Sequence, residues 1–172
     1  MSAGEGQVVE RQGTRRAARF SGRFDGKLDS KGRIVVPADF RQILGAPQIH
    51  VFQSLTEPVI QCGPASLMDD LLEAVAGQDV YDEDRWALED EITGGVQPLP
   101  IDDTGRTSLP KDFREFAKLE GPIAFAGRGW HFILATKAYL DDRRARAREA
   151  ADRNRDTLRA RMLPSVQAGR KP

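Results

Sequence analysis

The chain has 172 residues, 40% of them hydrophobic and 30% charged, with 26 basic side chains, 26 acidic ones and a single cysteine, Cys62. That is enough for one ordinary domain or two small ones, and it excludes an internal disulfide and argues against a cysteine-rich zinc site. No apolar run approaches the ~20 residues of a membrane span, and the first twenty residues lack the apolar stretch of a secretory signal, so a reducing cytoplasm is expected and a membrane partner is not.

The neutral total hides an uneven distribution. Residues 1–27 carry six Lys/Arg against three Asp/Glu, residues 28–136 carry nine against eighteen, and residues 137–172 carry eleven against five. Within the middle, residues 69–103 hold twelve carboxylates and one basic residue, Arg85. Two basic ends around an acidic centre describe contact surfaces and partners, not a fold.

In chain order, residues 1–19 are small, polar and charged, and read as a flexible basic arm. Order is expected from Phe20. "GKLDSKGRIVVP" reads as strand, tight loop and strand, with β-branched Val35 and Val36 after Ser-Lys-Gly turn chemistry. Pro37 suits the first turn of a short helix, and Phe40, Ile43 and Leu44 fall at helical spacing. "IHVF" and "PVIQC" read as two further strands. Leu67, Met68, Leu71, Leu72 and Val75 mark an amphipathic helix over 65–76. A second helix around Arg85–Ile92 is expected to be broken by "TGGVQPLP".

The pattern then restarts. "DSKGRIVVPADFR" (Asp29 to Arg41) returns as "DDTGRTSLPKDFR" (Asp102 to Arg114), identical at seven of thirteen positions and seventy-three residues later. Strand, loop, strand and short helix are followed by strands at "IAFAG" and "WHFILA". One long helix is expected over 137–163. The repeat is a whole unit, roughly 24–75 and 97–150, with small gaps inside it.

In D-x-x-G-R the aspartate can accept backbone N–H bonds two residues on, and the glycine permits positive φ. Asp29, Gly32, Asp102 and Gly105 are therefore expected to structure the loops. The arginine beside each aspartate has two readings. It can lock the hairpin as a salt bridge, or be oriented so that its fork meets phosphate or a guanine edge. Lys31 and Thr104 occupy the same loop position, one as a cation and one as a hydroxyl, and both can donate to phosphate. The first loop is expected to attract DNA more strongly.

"FSGRFDGKLDSKGRIVVPADFR", "IDDTGRTSLPKDFR" and "GPIAFAGRGWHFILATKAYL" together resemble the MraZ family, bacterial transcriptional regulators of the division and cell wall gene cluster. The likeness covers about residues 20–145. It implies an α+β fold: a pseudo-twofold β-barrel of two AbrB-like swapped-hairpin repeats with flanking helices. The layout would be a flexible arm (1–19), a first repeat with a helical segment (20–96), a second repeat (97–145) and a charged C-terminal helix and tail (146–172). It also implies a homo-oligomeric ring that binds double-stranded DNA at promoter direct repeats, expected to act as a repressor and to associate with the nucleoid. Lys31, Arg33, Thr104 and Arg106 would be the DNA-binding residues. The long basic arm (Arg11, Arg15, Arg16, Arg19, Arg23), the acidic stretch before the second motif and the Arg-rich C-terminal helix depart from that pattern.

The alternative is an antitoxin-like or other protein-interaction module on the same swapped-hairpin fold, holding its partner through the basic helix or the acidic segment. An enzyme is not expected. No nucleophile, base and oxyanion donors can be assembled, and there is no phosphate-cradling or metalloprotease motif. No cofactor, metal or small-molecule substrate is expected either. His50 and His131 sit in strand contexts, and His131 is read as packed. The carboxylates at 82–91 lack calcium-loop spacing. Trp86 is read as a core anchor and Cys62 as a buried small residue.

Overall fold

A computed structural model describes residues 19–77, 79 and 81–167. The basic arm therefore lies outside the described residues except for Arg19, and Arg23 belongs to the first strand. The first repeat runs β1 (Arg23–Lys27), β2 (Arg33–Val35), α1 (Ala38–Leu44), β3 (Gln48–Gln53) and β4 (Ile60–Gly63). Two helices follow, α2 (Leu67–Val75) and α3 (Glu83–Gly95). The second repeat runs β5 (Gln97–Pro100), β6 (Arg106–Ser108), α4 (Lys111–Phe116), β7 (Pro122–Gly127) and β8 (Phe132–Thr136), then α5 (Lys137–Arg153) and α6 (Arg155–Gln167). The fold is α+β, with every strand pair antiparallel.

The two repeats exchange strands. Each keeps its own β3–β4 or β7–β8 hairpin, but β1 pairs with β7 of the second repeat and β5 pairs with β3 of the first. The resulting sheet has the order β1-β7-β8-β4-β3-β5, and β2 pairs with β6 in a separate ribbon. In that ribbon Ile34 faces Thr107, its own counterpart in the repeat, so a pseudo-twofold axis passes between them. The six-stranded ladder stays open, with β1 and β5 as its edges.

The exchange explains the duplication. One core unites Ile34, Val36, Phe40, Ile49 and Ile60 of the first repeat with Leu109, Phe113, Ile123, Phe132 and Leu134 of the second. Neither repeat encloses these side chains alone, and burial of apolar area is the main force holding the two together. Smaller clusters seat the flanking helices. Leu140 of α5 packs with Val59, Ala124 and Ile133. Leu67, Leu71 and Ile92 of α2 and α3 pack on Phe52.

Three expectations change. Helix α3 continues through Thr93-Gly94-Gly95 instead of ending at Ile92. A β-carbon at Gly95 would lie 2.8 Å from Cε2 of Phe52, so glycine here lets the helix lie close on β3, at the usual cost in helix propensity. The long C-terminal helix is interrupted at Asn154, whose side-chain amide donates to the Ala150 carbonyl at 2.8 Å and so competes with the backbone ladder. Trp86 is 50% exposed rather than a core anchor, and Ile92 is the buried residue of α3.

Cys62 is buried and free, and burial pushes its thiol pKa up. His131 is buried too, and desolvation, with the neighbouring Arg128 charge, lowers its pKa to about 4. Neither ring nitrogen has a hydrogen-bond partner among the described residues. A histidine held neutral when folded contributes stability that is full above its ordinary pKa of about 6.5. That stability is lost as pH falls toward 4, because the unfolded chain binds the proton first. The loss is on the order of 2 kcal/mol. Chemical denaturation of wild type and His131→Phe between pH 7 and pH 4 should show this decline in the wild type and a flatter profile in the variant.

Candidate nucleic-acid interface

Both D-x-x-G-R loops fold by the same hydrogen bonds. In the first, Asp29 Oδ1 accepts from the backbone N–H groups of Lys31 and Arg33, each at 2.9 Å. In the second, Asp102 Oδ1 accepts from those of Thr104 at 2.9 Å and Arg106 at 2.8 Å. Gly32 and Gly105 supply the positive φ that closes each turn, +75° and +82°. These contacts, led by the Arg33 and Arg106 N–H groups, hold both carboxyls below the usual carboxylate range. Both loops therefore keep their charged aspartates at neutral pH, and they lose that support only as pH falls below about 4.

The side chains then diverge. Arg33 Nε donates to Asp29 Oδ2 at 2.7 Å, forming an ion pair that leaves the Nη groups as donors with no partner among the described residues. In the second loop the Thr104 hydroxyl donates to Asp102 Oδ1 at 2.7 Å. Arg106 has no ion pair among the described residues and is exposed. The lock that the motif allowed is thus present in the first loop and, among the described residues, absent from the second. Thr104 spends its only hydroxyl proton inside the loop, and Lys31 is an exposed cation.

The β2–β6 ribbon brings the two loops together. Arg33 stands opposite Ser108 and Val35 opposite Arg106. Residues directly opposite, and residues two apart, share one face of a sheet. Arg33, Val35, Arg106 and Ser108 therefore form the outer face, while Ile34 and Thr107 are buried beneath. Arg33 and Arg106 occupy diagonal positions whose backbones lie roughly 7–8 Å apart. Between them runs a groove of about 260 Å³, lined also by Asp102 and Ser108.

A pair of residues outside the expected set braces this arrangement. The last residue of each repeated phrase, Arg41 or Arg114, reaches across to the opposite loop. A β-carbon on Gly105 would sit 2.8 Å from Cζ of Arg41, and one on Gly32 would sit 2.9 Å from Cζ of Arg114. The loop glycine carbonyls also bond across the axis, Gly105 to the N–H of Val36 and Gly32 to that of Leu109, both at 2.9 Å. Each loop is thus clamped by the other repeat. The signal in the sequence was the identity of this arginine in both copies, but its target lies across the axis.

The basic helix leads away from the first loop. Its first turns are tied to β1, Lys137 to Asp25 and Asp141 to Arg23, the latter at 2.6 Å. The helix therefore runs back along β1, from the loop end toward Arg23. Glu57 holds it further along through Arg143, and pairs also with Arg128 of the β7–β8 turn at 2.7 Å. On the acidic side, α3 passes into β5 at Gln97, the end of that strand remote from Asp102. Among the described residues, no group of three His, Cys, Asp or Glu could hold a metal ion, and no helix is long and apolar enough to cross a membrane.

No family model matches the chain. Individual relatives do. It is 32% identical over 142 residues to the transcriptional regulator MraZ of Caulobacter vibrioides, covering 81% of this chain and 91% of that protein. It is 31% identical over 132 residues to the transcriptional regulator MraZ of Rickettsia bellii, covering 75% and 88%. To that of Methylocella silvestris it is 28% identical over 127 residues, covering 70% and 77%.

Proposed function

The chain belongs to the MraZ family of transcriptional regulators, which are not enzymes, and we propose that it acts by binding double-stranded DNA sequence-specifically through its two D-x-x-G-R loops. The observation that carries this reading is the outer face of the β2–β6 ribbon, where two arginines from separate repeats stand beside two backbone-braced loops. A two-stranded ribbon fits the major groove of B-DNA, and an arginine fork matches the O6/N7 edge of guanine. Arg33 and Lys31 make the main contacts, with Arg106 and Thr104 second. Asp29, Gly32, Asp102 and Gly105 hold the loops.

The finer reading rests on the resemblance to the MraZ family, with the geometry in support of its fold. The strand exchange supports two AbrB-like swapped hairpins, spanning 20–96 and 97–145, wrapped as a pseudo-twofold barrel whose open ladder is bridged by the ribbon. The target is a set of direct repeats upstream of the division and cell wall genes, bound by a homo-oligomeric ring that acts as a nucleoid-associated repressor in the cytoplasm. One chain presents only two short loops, and linked sites can raise avidity by about 10²–10⁴ without new contacts.

Fluorescence anisotropy on the DNA upstream of the chain's own gene cluster tests this, comparing native and shuffled sequences at several salt concentrations. Tight, sequence-dependent binding is expected. Its log affinity should fall with log salt by about 0.9 per phosphate contact. Binding that ignores sequence and follows salt alone would overturn the proposal.

A further inference from the structure

The outer ribbon face is nearly symmetric, and the residues that break the symmetry lie between the arginines. Val35 and Ser108 occupy the same repeat position, seventy-three residues apart. Val35 is opposite Arg106 and 52% exposed, an apolar side chain on an otherwise polar face. Ser108 is opposite Arg33 and also exposed.

We propose that Val35 and Ser108 are specificity-determining residues: Val35 packs against the methyl group of a thymine in the major groove, Ser108 reads a polar edge, and together they fix the direction in which one chain lies on its site. The inference rests on the DNA-binding reading above. A thymine methyl is the one apolar group on the major-groove edge, and apolar side chains are its natural contact. The two arginines stand about two base-pair steps apart at ~3.4 Å per step, so Val35 and Ser108 meet the pairs beside those that the arginines address. A face with the same residue at both positions would leave the direction to the flanking loops alone, where Lys31 stands against Thr104. Valine on one side and serine on the other gives a single chain a direction, as a direct repeat requires.

Deoxyuridine scanning isolates the contact, since replacing thymine by uracil removes only the methyl. Each thymine of the native site is replaced in turn, and affinity is measured for wild type, Val35→Ser and Ser108→Val, with thermal melting to verify folding. Wild type is expected to lose about fourfold at one position, the effect of burying one methyl group. Val35→Ser should be indifferent there, and Ser108→Val should become sensitive at a second position. β-propensity alone would also favour a valine in an exposed strand. Identical scans for wild type and Val35→Ser, with both still preferring native to shuffled DNA, would overturn the inference and leave the DNA-binding reading intact. A wild type without that preference would overturn both.

Discussion

Phe40→Ala should lower the unfolding free energy by about 3–5 kcal/mol, measured by urea denaturation, the range for emptying a buried aromatic site. Phe40 is fully buried, and its ring lies 4.6 Å from that of Phe132, 5.0 Å from Phe24 and 5.4 Å from Phe20. These partners come from β8, β1 and the segment leading into β1, so a single ring joins both repeats. Aromatic pairs add about 0.5–1.5 kcal/mol each beyond area burial. The counterpart in the second repeat, Phe113, is just as buried but has no ring neighbour among the described residues. Phe113→Ala should therefore fall at the lower end of the range. Equal losses would mean that cavity size alone sets the cost. Domains of this kind are stable by only about 5–15 kcal/mol, so Phe40→Ala should also populate the unfolded state on mild heating.

Local structure was legible where local chemistry dictates it. Ser-Lys-Gly and Asp-Thr-Gly read as turns because aspartate and glycine close them with their own backbone. Pro37 was expected in the first turn of α1 and stands one residue before it, as Pro110 does before α4. Partner choice was not legible. Nothing within β1 states that it pairs with β7 instead of a strand of its own repeat, because an edge presents the same N–H and C=O groups to any neighbour. Arg41 and Arg114 were visible as repeated residues, but their contact with the opposite glycine exists only once the repeats have exchanged strands. Side-chain competition was equally hidden. That the Thr104 hydroxyl proton goes to Asp102 in the free chain could not be read from the loop's residue types, and Gly94-Gly95 looked like a helix stop until Phe52 showed why glycine was needed.

Arg33→Ala should weaken binding to the native site by about 1–3 kcal/mol, the range for a base-reading arginine, and Arg106→Ala should weaken it less. The difference comes from the loops. Asp29 already holds the Nε of Arg33, so its fork is oriented before DNA arrives. Arg106 has no such partner and must be immobilised on binding, which costs about 0.5–1.5 kcal/mol for a long side chain. Titrating both variants and the double variant on native and shuffled DNA separates the roles. A base-reading arginine, once removed, relaxes discrimination at one position. A phosphate-contacting arginine weakens all sequences alike and lowers the salt slope by about one. Thr104→Val supplies the complementary test, since it removes the hydroxyl bond to Asp102 Oδ1 and leaves Oδ2, the atom whose counterpart holds Arg33 in the first loop, as it was. That substitution should leave the contribution of Arg106 below that of Arg33. Equal losses from the two single arginine variants would show that pre-orientation by aspartate has no part in recognition, and that the D-x-x-G-R pairing serves the hairpin alone.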